Sequence, residues 1–582
     1  MGIRFKVTGG WLVSHYINSR CPLNFISSNF AKKAYKHTNG YIEKIVQLGG
    51  EKLSKATFVR EATGLVREFG PMMALMMAMN NMIGAGIWGL SIRMPYTYPG
   101  SDPTQAFIIG LIPAFFFAIS YAWLASCMPR AGGDYVFISR TTNPALGYVV
   151  TIGNFLGRWF SIGFLLYTDV TLWGIAFRML GKGIGNEDLA NFGAWLAAAD
   201  PTVKIACALF LLFTVWLFLT IGGTAFKAYT AIIWLIPIVG AIACIFLCYA
   251  NPFNPASFQS LWDSVWGPGS YNEIVSIAQK YNWSPAAPNF DATIRAVAGA
   301  ALFAYSGFHN PAQWSGEIKN PKRNLLIGII GGTLITAAIY ITMASSAFYA
   351  GGEFISQYNW AYYKGTAADF KITPRIEPVL PMFAVIFAGG NVFLTFLIAT
   401  AGAFSLYHVQ PAALMMETRR VFSLAFDRLF PERFADVSER FHTPTWAILF
   451  MVIGGAIGII ISSPVLGPLR TLAGGINATF MYLLGYLFTG LALALLPITK
   501  PEIYESIKVE VGGVPVPAIC GTVAFALGIF FFAANAQVMA PLDIFISCLV
   551  LGIGLALYIY YTYKNKRMGI DMKALLSEIP PE

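Results

Sequence analysis

An all-α polytopic membrane protein with twelve transmembrane helices is the fold class this sequence predicts, and three observations predict it. Of the 582 residues, 56% are hydrophobic and only 12% are charged, about half the ~25% of charged residues usual in soluble domains. Charge-free intervals long enough for a helix to cross ~30 Å of hydrocarbon recur along the chain. Two of them, the first and the sixth, are each interrupted midway by residues poorly suited to a helix.

The first interval runs from Phe69 to Leu90, with no charge between Glu68 and Arg93. Within it Ile83-Gly84-Ala85-Gly86-Ile87 resists a continuous helix. Each glycine costs about 1 kcal/mol relative to alanine, and lipid offers no water to an unpaired amide. Unwound backbone at that depth is tolerated where it lines a cavity, so a broken span points to a transporter's substrate site. The alternative is that the glycines let a neighbouring helix pack closely.

The second span is predicted at about Thr104–Cys127 and the third at Ala145–Leu180, the latter interrupted by Arg158 and Asp169. The fourth and fifth follow at Ile205–Thr220 and Ala228–Ala250. A polar outer loop carrying Pro and Trp then extends to Phe290. The sixth to eighth spans are expected at Ala296–Gly316, Leu325–Tyr349 and Val379–Met416. The last four lie near Pro444–Ser462, Thr471–Leu496, Val516–Asn535 and Ile544–Tyr563.

Charge sets the orientation. Residues 1 to 66 form a basic extension: Arg4 through Arg67 supply eleven Lys or Arg against Glu43, Glu51, Glu61 and Glu68. No apolar run there suits a signal-peptide core, so cleavage is not expected. Alternate loops hold Arg130, Arg140, Lys227, Lys319, Lys322, Arg323 and the Arg419–Arg440 cluster, and Lys564-Asn565-Lys566-Arg567 follows the last span. By the positive-inside rule this basic face is cytoplasmic, with both termini inside a cell membrane. The net charge of +10 is spread between apolar spans rather than gathered in a patch, which suits anionic lipid and argues against nucleic acid. Seven cysteines without a C-x-x-C pair read as small buried hydrophobes. No metal or cofactor is implied.

The sixth span reads Ala301-Leu-Phe-Ala-Tyr-Ser-Gly-Phe-His-Asn310 and then Pro311. The Ser-Gly pair and a proline without an N–H weaken the helix in its middle. Spans one and six are five apart and cross in opposite directions, so two breaks at equivalent positions indicate a five-plus-five inverted repeat. The halves would be residues 67–250 and 291–496, separated by an outer loop at 251–290. Two further helices at 497–563 and a tail at 564–582 complete the chain. A half-helix N-terminus presents free N–H groups that suit a carboxylate, and the opposite stub presents carbonyls that suit an ammonium. Backbone at Ile83, Gly84, Ala85, Gly86, Ile87, Phe303, Ala304, Tyr305, Ser306 and Gly307 would therefore hold an amino acid or related amine. Its side chain would sit against Phe303, Tyr305 and span three.

Several stretches resemble the amino acid–polyamine–organocation permease superfamily. Glu68 to Ile87 is similar to its first helix, and Met128-Pro-Arg-Ala-Gly-Gly-Asp-Tyr135 to its best-marked inner loop. Phe303-Ala-Tyr-Ser-Gly-Phe308 with Glu317-Ile-Lys-Asn-Pro-Lys-Arg323 resembles the sixth helix and the loop after it. Thr418-Arg419 through Leu429-Phe-Pro431 and His442-Thr-Pro444 resemble the segment between helices eight and nine. The likeness covers about Arg67 to Arg567 and implies a leucine-transporter-like fold and secondary transport of amino acids or amines. Two departures stand out. His309 occupies a place where members often carry Glu or Asp, and helix five has nothing ionisable from Ala228 to Ala250, where some proton-coupled members place a Lys.

Ionisable groups inside spans are candidates for coupling, because bare charge in lipid costs several kcal/mol. Asp169 is the deepest carboxylate, and His309 adjoins the second break. Each has a structural alternative, an ion pair for Asp169 and a helix-stabilising hydrogen bond for His309. His408 is expected to satisfy a neighbouring carbonyl. Ser405 and Thr400 could serve sodium, though such hydroxyls usually bond their own helix. A proton is therefore favoured over sodium as the coupling ion, with exchange as the other mode. Arg130, Asp134, Glu317 and Lys319 are candidates for an inner gate of ion pairs, and Asn282-Trp283-Ser284 fits an N-glycosylation acceptor. A sensor or scaffold that kept the fold is the rival function. No H-E-x-x-H or G-x-S-x-G pattern suggests an enzyme.

Overall fold

The computed structural model describes Val59 and residues 63–373, 375–466 and 478–581. The reading of residues 1–62 as a basic extension lies outside the described residues apart from Val59, and so does the expected start of the tenth span at Thr471. The described residues belong to one unit, Phe58–Glu582.

A recurring local signal starts four of the helices. Asp102-Pro103, Asn143-Pro144, Asp200-Pro201 and Asn254-Pro255 each place an Asx side chain as acceptor for amides of the first turn, with proline just inside the helix. Among the described residues, ten helices are long and apolar enough to cross a membrane. Pro71–Met82 and Gly86–Thr97, bent by 42° at their junction, make a further span if counted as one. The chain is thus an all-α polytopic protein. The expected count of twelve depends on also reading the short pieces between Phe290 and Gln313 as one broken span six.

Span two is Pro103–Cys127, three Pro144–Ile184, four Pro201–Ile221 and five Gly223–Ala250. Span seven, Pro321–Lys364, runs on well past its expected end and kinks at Gly352, where φ is +50°. Spans nine to twelve are Thr445–Ser462, Ala478–Thr499, Val516–Val538 and Pro541–Arg567. Span eight occupies Val392–Phe426 but consists of two helices, Val392–Phe404 and Val409–Phe426.

Small residues let the helices meet. A Cβ on Gly163 of span three would lie 2.2 Å from the Ile459 nitrogen of span nine, so only glycine fits this crossing. The loop expected between Ala250 and Phe290 instead holds two helices, Pro255–Trp266 and Ser270–Lys280. Phe258, Trp262 and Trp266 of the first are buried at four-residue spacing, and Ser270, Ile274, Ile277 and Ala278 of the second at three- and four-residue spacing. That apolar stripe makes them helices lying on the protein rather than free loop. Glu273 ties this pair to the segment after span seven by accepting the Lys371, Ile372 and Thr373 amides at 2.6, 2.7 and 2.6 Å. Partial burial pushes the Glu273 carboxyl up, but these amides outweigh it and hold it below the usual glutamate range.

Candidate functional site

The two breaks lie side by side. A Cβ on Gly86 would fall 2.5 Å from Ala304 Cβ, and one on Gly307 would fall 2.6 Å from the Asn81 carbonyl carbon and oxygen. Numbering rises along one segment as it falls along the other, so spans one and six pack antiparallel here. Both halves of the glycine question raised by the sequence apply: the backbone unwinds at Ile83–Gly84, and Gly86 also permits the close approach.

In span one the helix ends at Met82, and Ile83 leaves it with ψ near 84°. Among the described residues, no backbone carbonyl accepts from the N–H of Gly84, Ala85 or Gly86, and no backbone N–H reaches Ile83 O. The chain re-enters through a wide π-type turn at Gly86–Leu90. In span six Ser306 is extended and Gly307 has φ of +122°, a conformation that favours glycine. Phe308 and His309 likewise lack backbone acceptors among the described residues. The break offers amides at one end and a carbonyl at the other, the pairing a zwitterion needs.

Tyr340 of span seven joins the two segments. Its buried hydroxyl lies 2.5 Å from Met82 O and 3.0 Å from Ala304 O, so one group serves the orphaned carbonyls of both breaks. Tyr305, in contrast, turns into span two and donates to Phe107 O at 2.9 Å, which leaves its main chain rather than its ring at the break. Arg158 enters beside the site. Its Nη2 donates to Asn81 Oδ1 at 2.7 Å and its guanidinium lies 6.0 Å from the Tyr482 ring.

On the basic face the candidate gate acids are buried and paired, but with partners other than Arg130 and Lys319. Arg419 grips Glu317 with two parallel bonds, Nε to Oε1 at 2.7 Å and Nη2 to Oε2 at 2.8 Å. Arg420 Nη2 meets Asp134 Oδ2 at 2.8 Å while its Nη1 holds Glu417 Oε1 at 2.7 Å. Gln313 and Tyr121 add donors to Asp134 at 3.0 and 3.1 Å. Arg130 instead donates to Pro580 O at 2.6 Å, and the Lys319 side chain is exposed. Lys319 joins only through its backbone, where its amide donates to Phe69 O at 2.8 Å and the Glu68 and Phe69 amides donate to Glu317 O. The glycines of the Ala131-Gly-Gly-Asp134 stretch let the loop reach this cluster: Gly132 has φ of +96° and leaves no room for a Cβ against Ser423.

The remaining candidates fall in two places. His309 is buried in an aromatic box, its Nδ1 3.1 Å from the Tyr486 hydroxyl and its ring 5.3–5.4 Å from Tyr121, Tyr482 and Tyr486. Asp169 has different neighbours. It accepts from Trp173 Nε1 at 3.1 Å and faces the Leu406 and Tyr407 amides, which span eight leaves free where its helix is interrupted. The sequence carried a signal for this third break in Pro411. A proline there has no N–H for Tyr407 O and clashes with that carbonyl. Thr400 bonds its own helix at Phe396 O, 2.7 Å away.

A cavity of about 780 Å³ opens at the other face and is lined by Tyr96, Asp102, Trp283, Glu353 and Trp360 among others, but does not include the breaks. The family profile described as amino acid permease matches residues 69–556, from the start of span one into span twelve. The chain belongs to the amino acid permease family. The branched-chain amino acid permease BcaP of Bacillus subtilis (strain 168) is 22% identical over 514 residues, covering 87% of this chain and 95% of the relative. The serine/threonine exchanger SteT of the same organism is 24% identical over 410 residues, 69% of this permease and 79% of the exchanger. The glutamate/serine transporter AimA, also from that organism, is 21% identical over 517 residues, 87% and 83% respectively.

Proposed function

We propose that this permease carries amino acids or related amines across the cell membrane by alternating access, with the substrate held by the backbone of Ile83–Ile87 and Phe303–Gly307. The observation that carries this reading is the pair of antiparallel breaks with free amides at Gly84–Gly86 and an orphaned carbonyl at Ile83. The α-carboxylate would take the amides and the ammonium the carbonyls. The relatives' names span branched-chain, hydroxylated and acidic amino acids, and the zwitterion is what such substrates share.

With the basic face taken as cytoplasmic, the buried Glu317–Arg419 and Asp134–Arg420 pairs are the inner gate of this reading. Opening exchanges these buried pairs for hydrated charges, which makes the step reversible. Removing one partner instead would leave a buried charge uncompensated. Proton coupling or exchange is favoured over sodium.

The test is uptake of a panel of labelled amino acids by proteoliposomes carrying the wild type, Gly84→Leu or Gly86→Leu. A Gly84 Cβ would already touch Val409 Cγ2 at 3.0 Å, and a Gly86 Cβ would overlap Ala304. Both variants are expected to insert and to lose uptake. Normal uptake by both would rule out this site.

A further inference from the structure

Three unwound segments, not two, meet in this molecule, and His408 stands where the third touches the first. It closes the span-eight interruption between Phe404 and Val409, is 1% exposed, and places Nδ1 2.6 Å from Phe404 O. A carbonyl only accepts, so Nδ1 carries the hydrogen. The imidazole also faces the Ile83 carbonyl, which no backbone N–H reaches among the described residues. Its Nε2 has no hydrogen-bond partner among the described residues. The two segments are in contact: the position of a Gly84 Cβ lies 3.0 Å from Val409 Cγ2 and 3.5 Å from Ser405 O.

One imidazole between two carbonyls is a switch by its chemistry. The neutral ring has one N–H and can serve only Phe404 O, which leaves Nε2 with a bare lone pair and nothing to donate. Adding a proton at Nε2 gives a second donor, so the imidazolium can bond both carbonyls and tie span one to span eight. Among the described residues no charged side chain acts directly on the ring. Span three contributes Asp169, which faces the Leu406 and Tyr407 amides, and Arg158, which is held by Asn81. Span five contributes Tyr229, whose hydroxyl lies 2.5 Å from that of Tyr407 on span eight itself, and span four only Thr214 beside the same hydroxyl. Beyond the span-six break His309 faces Tyr486, and further along span eight Glu417 and Arg420 pair with each other. Among the described residues span one offers only the uncharged Asn80 and Asn81 at this level.

We propose that His408 is the proton-carrying group of transport, an inference that rests on the transport reading above. Nε2 takes a proton from water on one side of the membrane, the imidazolium clamps Ile83 O and Phe404 O while substrate is held, and release of that proton to water on the other side frees span one.

The test uses the full-length protein in proteoliposomes and whichever labelled amino acid the wild type exchanges fastest. An inwardly directed proton gradient should drive accumulation by the wild type. His408→Gln keeps an amide NH2 as donor but cannot titrate. It should exchange internal for external label within about threefold of wild type while losing gradient-driven accumulation. Accumulation by His408→Gln equal to wild type, or a wild type indifferent to the gradient, would overturn the proposal and leave the transport reading intact. A wild type that exchanges no amino acid would overturn the transport reading itself. Should His408→Gln not assemble, His408→Lys, a lasting cation, faces the same criterion. If neither assembles, proton entry is followed with a pH dye in wild-type vesicles on adding substrate. One proton per amino acid supports the proposal and none refutes it.

Discussion

Replacing Tyr340 with phenylalanine removes one oxygen and keeps the ring, so it isolates the bond that joins the two breaks. The hydroxyl is fully buried, 2.5 Å from Met82 O and 3.0 Å from Ala304 O. An unsatisfied buried acceptor costs about 1–3 kcal/mol. The single hydroxyl hydrogen is shared between two carbonyls, so we count that cost once. At ~1.4 kcal/mol per tenfold, the arrangement with both breaks held together should lose about one order of magnitude in population. Tyr358 supplies the control. It lies further along the same span, is equally buried, and donates to Ile376 O at 3.0 Å, away from the breaks. The assay pairs thermal unfolding in detergent with initial uptake in proteoliposomes. Both Tyr340→Phe and Tyr358→Phe should melt at lower temperature, but only Tyr340→Phe should lose most of its uptake per folded molecule. Equal uptake by the two variants would refute the idea that the Tyr340 hydroxyl organises the site.

The other predictions concern the gate and the opposite face. Arg420→Gln strips two buried carboxylates, Asp134 and Glu417, of their shared cation, and should cost about 3–5 kcal/mol of stability; detergent melting within a degree or two of wild type would contradict the pairing. Glu317→Gln weakens the bidentate grip of Arg419 and should raise labelling of a cysteine placed at Ala412, buried about two turns before Arg419 on the same helix, by an impermeant thiol reagent several-fold from the basic side; unchanged labelling would argue against gating. Gly132→Ala forces a Cβ into Ser423 at a positive φ and should slow uptake while leaving expression intact, measured as uptake per reconstituted molecule. Glu273 has its carboxyl held low by three amides, so its stabilising contribution is present above the ordinary glutamate range and fades as pH falls through and below about 4. Protection of the Lys371–Thr373 amides, taken relative to their intrinsic exchange rate at each pH, should therefore be high at neutral pH and fall in acid, whereas in Glu273→Gln it should be low throughout.

What the sequence made legible was what lipid enforces. Hydrocarbon demands long apolar helices, so spans such as Pro201–Ile221 could be placed within a few residues, and glycine or Ser-Gly inside such a run is conspicuous against it. The third break is marked only by Pro411, because Ser405-Leu-Tyr-His408 has no glycine and its amides are faced by a carboxylate more than two hundred positions earlier in the chain. The gate shows the same limit. Asp134 and Glu317 could be named from loop motifs, but Arg419 and Arg420 read as loop cations rather than as buried residues at the end of span eight. Which cation meets which acid follows from helix packing, and no local pattern encodes it. The helices at Pro255–Trp266 and Ser270–Lys280 were hidden for another reason: their apolar stripes are short and set among proline and polar residues.

The most direct measurement is a structure of the permease with its transported amino acid bound. The α-carboxylate should lie within about 2.7–3.2 Å of the Gly84–Gly86 amides, with the amine on carbonyls freed by the two breaks and Tyr340 still in place. Substrate density confined to the cavity beside Trp283 and Trp360, with Gly84–Gly86 unoccupied, would contradict the account.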